Sequence, residues 1–377
     1  MSISSLVLAL AAAAPAQNAI AVDATGDRVA LQSGPASVAV YERRGGDWLP
    51  LAAGKRFPDF TFVGAHFVQA RTVPALKDKR IAATGRPIAG LEPGMSVYPA
   101  LVTGDLAFFW TETFSLGGVI VAATDDALKH VATIAPIEGI GNSMTQGSGL
   151  VAFSGERIVV VDQSSNDQGC QVSVLERGEG NWTEHAEFRP QDCEPGGDDF
   201  APVPPRLEVI GVALDGDRLA LGTEPANGIA AGEVLLYRRG KHGWKPAGRI
   251  ARPVQDDEPA DDEGFVPHGF GRRMVLSGPR IYISDTWSIP TESGYNSVYN
   301  GVMVMLERDG QWQLERHYVH ATRQAMFGSD FEVRGERLFI DSPNEFAVYV
   351  FERRGGDWQP AGRIPKDEPT AKDPKAD

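Results

Sequence analysis

Two groups of side chains in this sequence have the types and spacing to act at a surface. One is acidic: Asp192, Glu194, Asp198 and Asp199 stand close together, and Asp256, Asp257, Glu258, Asp261, Asp262 and Glu263 form a second run. Carboxylates so crowded can hold a cation or a basic partner, which makes Asp256, Asp257, Asp261 and Asp262 candidate metal ligands. The plainer alternative is a pair of solvated, self-repelling acidic loops. The other group is aromatic and polar: Trp287, Tyr295, Asn296, Tyr299 and Asn300, with Phe265 and His268 near them in sequence. Flat apolar rings with polar tips suit recognition of a sugar or a peptide, so these seven are the candidate ligand-binding residues. A loop folded on its own aromatics is the alternative.

No residue pattern announces catalysis. The sequence contains no G-x-S-x-G elbow, phosphate-binding loop, H-E-x-x-H helix or dinucleotide fingerprint. Gly147-Ser148-Gly149 lacks the spacing of a nucleophile elbow. His317 and His320 are three apart, which on a strand turns them to opposite faces and makes them poor partners for one metal. Cys170 and Cys193 are the two cysteines, too few for a zinc site. In an exported protein they would form one disulfide; in the cytosol they would be two buried thiols. Asn181-Trp182-Thr183 is a formal glycosylation sequon.

Residues 1–16 read as a signal peptide. Ser5 to Ala14 is apolar but too short to span a bilayer, and Ala14-Pro15-Ala16 offers small residues for cleavage, although no Lys or Arg precedes them. The expectation is a secreted or periplasmic protein without a membrane span. The net charge of −14 over 377 residues argues against nucleic acid and anionic lipid as partners. The last stretch, 365–377, is polar and proline-rich and is expected to be disordered.

The elements that must position these side chains repeat. A G-x-R turn opens one strand, V-x-V-x-x-R marks the next, and a Gly-rich turn then leads to Trp on a closing strand. Examples are GDRVAL with VAVYERRGGDW (26–48), GERIVVV with VSVLERGEGNW (155–182), GDRLALG with VLLYRRGKHGW (216–244), GPRIYIS with VMVMLERDGQW (278–312) and GERLFID with VYVFERRGGDW (335–358). A weaker copy without the Trp covers 97–136, and a degenerate one falls near 59–96. With 42 glycines and 26 prolines supplying turns, each unit reads as four short antiparallel strands. Such a sheet cannot cover both of its faces alone, but a ring of them can. The expected fold is all-β: a β-propeller of four-stranded antiparallel blades, seven in number with six as the alternative, forming a single domain over 17–364. The repeated Trp is expected to pack between blades.

HGFGRRMVLSGPRIYISDT (268–286) and MFGSDFEVRGERLFIDSPNEF (326–346) resemble the FG-GAP repeats of integrin-alpha-like propellers. Phe270-Gly271 and Phe327-Gly328 match the FG, while Asp341-Ser342-Pro343 and Thr223-Glu224-Pro225 stand where the GAP triplet would be. The resemblance implies a propeller, and in that family Ca²⁺ often sits in a D-x-[DN]-x-[DN]-G loop. Here the corresponding connections are turns such as ATGDR and VRGER, with too few oxygens for the six to eight Ca²⁺ needs. No cofactor is therefore expected, Ca²⁺ being possible only elsewhere. Integrin-like adhesion does not follow from a shared fold.

In such a blade the 1–2 and 3–4 turns lie on one face of the ring and the 2–3 loops and 4–1 connectors on the other. All the long segments, including 162–170, 190–205, 223–233, 253–268 and 285–301, are of the second kind, and binding residues gather on such loops. Cys170 and Cys193 share that face, so a bridge is sterically feasible. The expectation is an exported, non-catalytic, monomeric module that recognises a protein or glycan through one loop-rich rim. The alternative is a secreted hydrolase or lyase with carboxylates converging near the central channel. A structural surface-layer component, the third class, would show a large flat apolar patch.

Overall fold

The computed structural model describes residues 20–34, 37–55, 60–69, 72–77, 79–91, 97–111, 115–141, 150–162, 170–178, 182–190, 207–225, 232–254, 266–290, 296–319 and 327–366, and the structural statements concern these residues. Their regular structure is β-strand except for one short 3-10 turn at Pro343–Glu345. The first sheet contains β1 (Ile20–Val22), β2 (Arg28–Gly34), β3 (Ser37–Arg44), β4 (Asp47–Lys55), β5 (Phe60–Val63), β6 (His66–Gln69), β7 (Thr72–Lys77) and β8 (Lys79–Pro87). The second contains β9 (Val97–Thr103), β10 (Leu106–Thr111), β11 (Ser115–Ala123) and β12 (Leu128–Gly141). The third contains β13 (Leu150–Ser154), β14 (Arg157–Asp162), β15 (Gln171–Arg177) and β16 (Trp182–Phe188). The fourth contains β17 (Leu207–Asp215), β18 (Arg218–Pro225), β19 (Glu233–Gly240) and β20 (Gly243–Ala251). The fifth contains β21 (Val266–His268), β22 (Met274–Ser277), β23 (Arg280–Pro290), β24 (Asn296–Arg308) and β25 (Gln311–Val319). The sixth contains β26 (Phe331–Arg334), β27 (Arg337–Ser342), β28 (Ala347–Arg354) and β29 (Asp357–Pro365).

The innermost strands touch in succession, β1 with β5, β5 with β9, β9 with β13, β13 with β17, β17 with β22 and β22 with β26, and β26 returns to β1. The result is a propeller ring of antiparallel sheets. The expected count of seven separate blades, or six, is corrected: five sheets of four or five strands stand alone, while β1–β8 form one continuous sheet. The fusion has a local cause. The outer strands β4 and β8 pair in parallel through Ala52 with Lys79 and Ala53 with Arg80. Gly54 permits this approach, since a Cβ there would stand 2.8 Å from Ile81 Cβ.

Middle strands such as Ile158–Val161, Leu219–Leu221 and Leu338–Ile340 are buried continuously because a neighbouring sheet covers each face. Alternate residues feed different seams. Val38 and Val40 join Phe60, Phe62 and Phe67 inside the first sheet, whereas Ala39 and Tyr41 join Phe339, Val348 and Val350 of the sixth. Each fully buried Val or Leu contributes roughly 1.5–3 kcal/mol. The repeated Trp packs between sheets as expected: Trp48 meets Phe339 edge-on at 5.8 Å, and Trp358 meets Tyr282 edge-on at 5.9 Å. The repeated Arg is a second staple. Arg157 donates to Gly216 O at 3.0 Å, Arg218 to Gly278 O, and Arg337 to Gly26 O at 2.8 Å, each bond reaching the 1–2 turn of the following sheet.

The FG pairs act as wedges. Phe270 is fully buried between the fourth and fifth sheets, beside Val234, Ile250 and Met303. Phe327 fills the seam between the fifth and sixth, its ring 5.8 Å from Tyr349. Pro365 ends β29 and Lys366 is buried, so the start of the expected tail is part of the last sheet; residues 367–377 lie outside the described residues.

Candidate functional site

Strands β23 and β24 are 11 and 13 residues long, and their hairpin carries the pairing beyond the seam core towards the loop-rich face. There β21 adds to β23, so that His268 pairs with Thr286 and Thr286 with Asn300. The three side chains form one row across three strands. Thr286 Oγ1 donates to Asn300 Oδ1 at 2.7 Å. His268 is half-buried, and loss of solvent holds its pKa below the ordinary imidazole value, with Glu224 pulling the other way. It is neutral at pH 7 and offers one donor and one acceptor.

The opposite face of the same strands is an ion-pair cluster at the end of the apolar seam. Asp285 is fully buried and accepts two bonds from Arg252, at 2.6 and 2.9 Å. His317 Nε2 lies 3.4 Å from Asp285 Oδ2. Burial pushes the Asp285 carboxyl up, but His317 and Arg252 outweigh it, and the group stays below the ordinary aspartate value. Trp287 lies over this cluster, its ring 6.2 Å from that of His317 and its residue only 7% exposed. It is therefore a support beneath the rim rather than an open stacking platform. Arg252 follows β20, so the Asp285 pair clamps the base of the connector that runs from the fourth sheet to the fifth.

Of the residues singled out from sequence, His268, Trp287 and Asn300 come together at this hairpin. Asn296 and Tyr299 belong to β24, opposite Pro290 and Trp287. Tyr295, Phe265, Asp256, Asp257, Asp261, Asp262, His320 and Cys193 lie outside the described residues. Cys170 is buried beside Val172 and Leu221 in the seam between the third and fourth sheets. Arg252, Asp285 and the role of His317 were missed. The one signal available was an acid ending the apolar strand Ile281-Tyr282-Ile283-Ser284-Asp285.

A second buried charge cluster closes the ring. Asp330 accepts from the Ile20 amide at 3.2 Å and pairs with Arg273 at 2.9 Å, tying the sixth sheet to the first and the fifth. Asp341 pairs with Lys366 Nζ at 2.5 Å. Burial pushes the Asp341 carboxyl up to about 6 despite that lysine. On the turn-rich side, a groove of about 620 Å³ runs between the fifth and sixth sheets. Its Glu315 is occupied by Arg280, at 2.6 and 2.7 Å, and by Trp358 Nε1 at 3.3 Å. No group of three or more His, Cys, Asp or Glu among the described residues is arranged to hold a metal ion.

No protein-family model matches the chain, so the FG-GAP resemblance has no support beyond the residues quoted for it. No curated protein matches it either. Among solved structures, the chain is similar to a candidate 6-phosphogluconolactonase from Bacteroides fragilis, at 13% identity over 92% of this chain and 94% of that one, with a TM-score of 0.48. It is similar to the Aleuria aurantia lectin in complex with α-methyl-L-fucoside, at 12% identity over 94% and 97%, with a TM-score of 0.42. It is also similar to the SapL1 lectin in complex with α-methyl fucoside, at 12% identity over 93% and 96%, with a TM-score of 0.39.

Proposed function

We propose that this protein is a non-catalytic β-propeller module that binds a glycan on its loop-rich face. The observation that carries the reading is the row of His268, Thr286 and Asn300. It sets an imidazole, a hydroxyl and an amide side by side on three paired strands, with the Arg252–Asp285–His317 cluster bracing the strands from behind. Donors and acceptors fixed on strands lose little freedom when they meet sugar hydroxyls. The buried carboxylates with shifted pKa values, Asp285 and Asp341, are engaged by Arg252 and Lys366, which supports a structural role for them rather than acid–base turnover. We further read residues 1–16 as a leader and Cys170 with Cys193 as a disulfide, placing the module outside the cytoplasm. The test is a screen of the purified protein against immobilised glycans and against extracellular protein fractions, repeated with Asn300→Ala and His268→Ala. Binding by both variants at wild-type strength would move the ligand away from this hairpin. Binding to protein alone would replace the glycan reading.

A further inference from the structure

Among the described residues, two that are not glycine have positive φ: Asp309 at 52° and Phe346 at 48°. Asp309 belongs to the Asp309-Gly310 turn between β24 and β25, where an aspartate accepts the left-handed region. Phe346 takes the left-handed conformation as the cap of the Pro343–Glu345 turn, a position for which phenylalanine is an unusual choice. A bulky side chain at this φ is a real outlier, and glycine or asparagine would hold the same turn with less strain. The residue is nevertheless 63% exposed. Capping explains the conformation but not the choice of an exposed phenylalanine.

The ring's mounting is rigid. The Phe346 amide donates to Pro343 O at 3.1 Å, and its carbonyl accepts from the Lys366 amide at 2.6 Å. Glu345 is fixed as well: Tyr349 Oη donates to its carboxylate, and Arg363 Nη2 donates to its carbonyl at 3.0 Å. The segment is the 2–3 connection of the sixth sheet and so opens on the loop-rich face. Asn344, two residues before Phe346, and Arg363, held to the neighbouring Glu345 carbonyl, are both exposed. An exposed aromatic residue on a short connection that also carries an amide and a carboxylate, with a guanidinium bonded to that connection, is complementary to a sugar, whose C–H face stacks on a ring while its hydroxyls meet polar groups.

We propose that Phe346 is the stacking anchor of a pyranose-binding site on the sixth sheet, with Asn344, Glu345 and Arg363 contacting the hydroxyls. This rests on the glycan reading above but is separate from the hairpin of the fifth sheet. The test measures binding of neutral oligosaccharides to wild type, Phe346→Gly, Phe346→Trp and Asn300→Ala, on a glycan array and by calorimetry, with melting temperatures alongside. Phe346→Gly is expected to bind at least about tenfold more weakly while melting no lower than wild type, because glycine relieves the strained φ. Phe346→Trp is expected to keep binding. Wild-type binding by Phe346→Gly, or a clear drop in its melting temperature, would overturn the proposal. If Asn300→Ala alone loses binding, this site falls and the fifth-sheet reading survives. If the wild type binds no sugar, both fall.

Discussion

Arg337 Nη1 donates a 2.8 Å hydrogen bond to Gly26 O, joining the sixth sheet to the first across 311 residues of sequence. The same guanidinium pairs with Asp27 at 2.7 Å and with Glu352 at 3.3 Å. Because a closed ring leaves each sheet's faces covered only by its neighbours, this contact guards the seam where the sixth sheet meets the first. Arg337→Ala removes charge-assisted bonds and is expected to cost about 1–3 kcal/mol. Amide exchange in β1 and β26 should rise first. Arg157→Ala, at the equivalent place between the third and fourth sheets, should cost a similar amount without loosening β1. Equal protection of β1 in both variants would show that closure does not depend on this bond.

Two carboxylates give the stability curve opposite slopes. In the fold Asp341 ionises near pH 6, pushed up by burial from an ordinary value of 3.8. The folded protein thus holds this proton more tightly than the unfolded chain, and the group's stabilisation is complete below 3.8 and lost as pH rises through 6. The size is roughly 3 kcal/mol. Glu352 works the other way. The hydrogen bond from Arg354, helped by Arg337 and Arg43, holds it down to about 2, so its stabilisation is present above 4.5 and lost as pH falls towards 2. Urea midpoints across mildly acidic to neutral pH should therefore fall with rising pH in wild type more steeply than in the Asp341→Asn, Lys366→Met double variant. Parallel profiles would refute the Asp341 assignment.

The Arg252–Asp285 pair has both partners almost fully buried, so neither can return to water when the other is lost. Arg252→Ala or Asp285→Ala is expected to cost about 3–5 kcal/mol, since each strips a buried charge of its two-bond partner. The double change Arg252→Met, Asp285→Leu should cost less than the sum of the two single changes. A double-mutant cycle read from denaturation midpoints checks this. Additive costs would mean that the two groups do not depend on one another.

The cysteines give a test of both pairing and compartment. Protein purified without reductant should take no alkylating label until it is denatured and reduced, and should then take two. Cys170→Ser should cost about 2–4 kcal/mol. Labelling of both thiols in the unreduced, unfolded protein would make them separate thiols and remove one support for export.

What could be read in advance depended on whether a residue acts within its own unit or across a seam. The G-x-R turns, the V-x-V strands and the Trp positions recur in sequence, and a repeat of that kind announces strands, their order and their need for neighbours. The parallel pairing of β4 with β8 was not legible, because it depends on Gly54 meeting Ile81 across two units. At the hairpin, His268 and Asn300 could be noticed as residue types. The burial of Trp287 was not visible, since it involves His317, two strands further along the chain. Phe346 was passed over because its connection is short, and a left-handed φ at phenylalanine leaves no mark in composition.

The FG wedge between the fourth and fifth sheets supplies the last test. Gly222 of β18 lies directly against the Gly271 backbone, and a Cβ on Gly222 would stand 2.2 Å from Gly271 O. Gly271 itself has a φ of 88°, a conformation a side chain rarely adopts. Two glycines facing each other thus let Phe270 enter the seam and bury its whole ring. Phe270→Ala should cost about 3–5 kcal/mol as a cavity, with the ring of sheets kept. Gly222→Ala is different in kind, because the obstacle is backbone and one sheet must shift. It should destabilise the protein and also disturb His268, which adjoins the wedge through Gly269. Proton resonances of the His268 ring should therefore move in Gly222→Ala and not in a cavity variant of a distant seam such as Phe108→Ala. Unmoved His268 signals in a folded Gly222→Ala protein would show that the wedge and the binding row are independent.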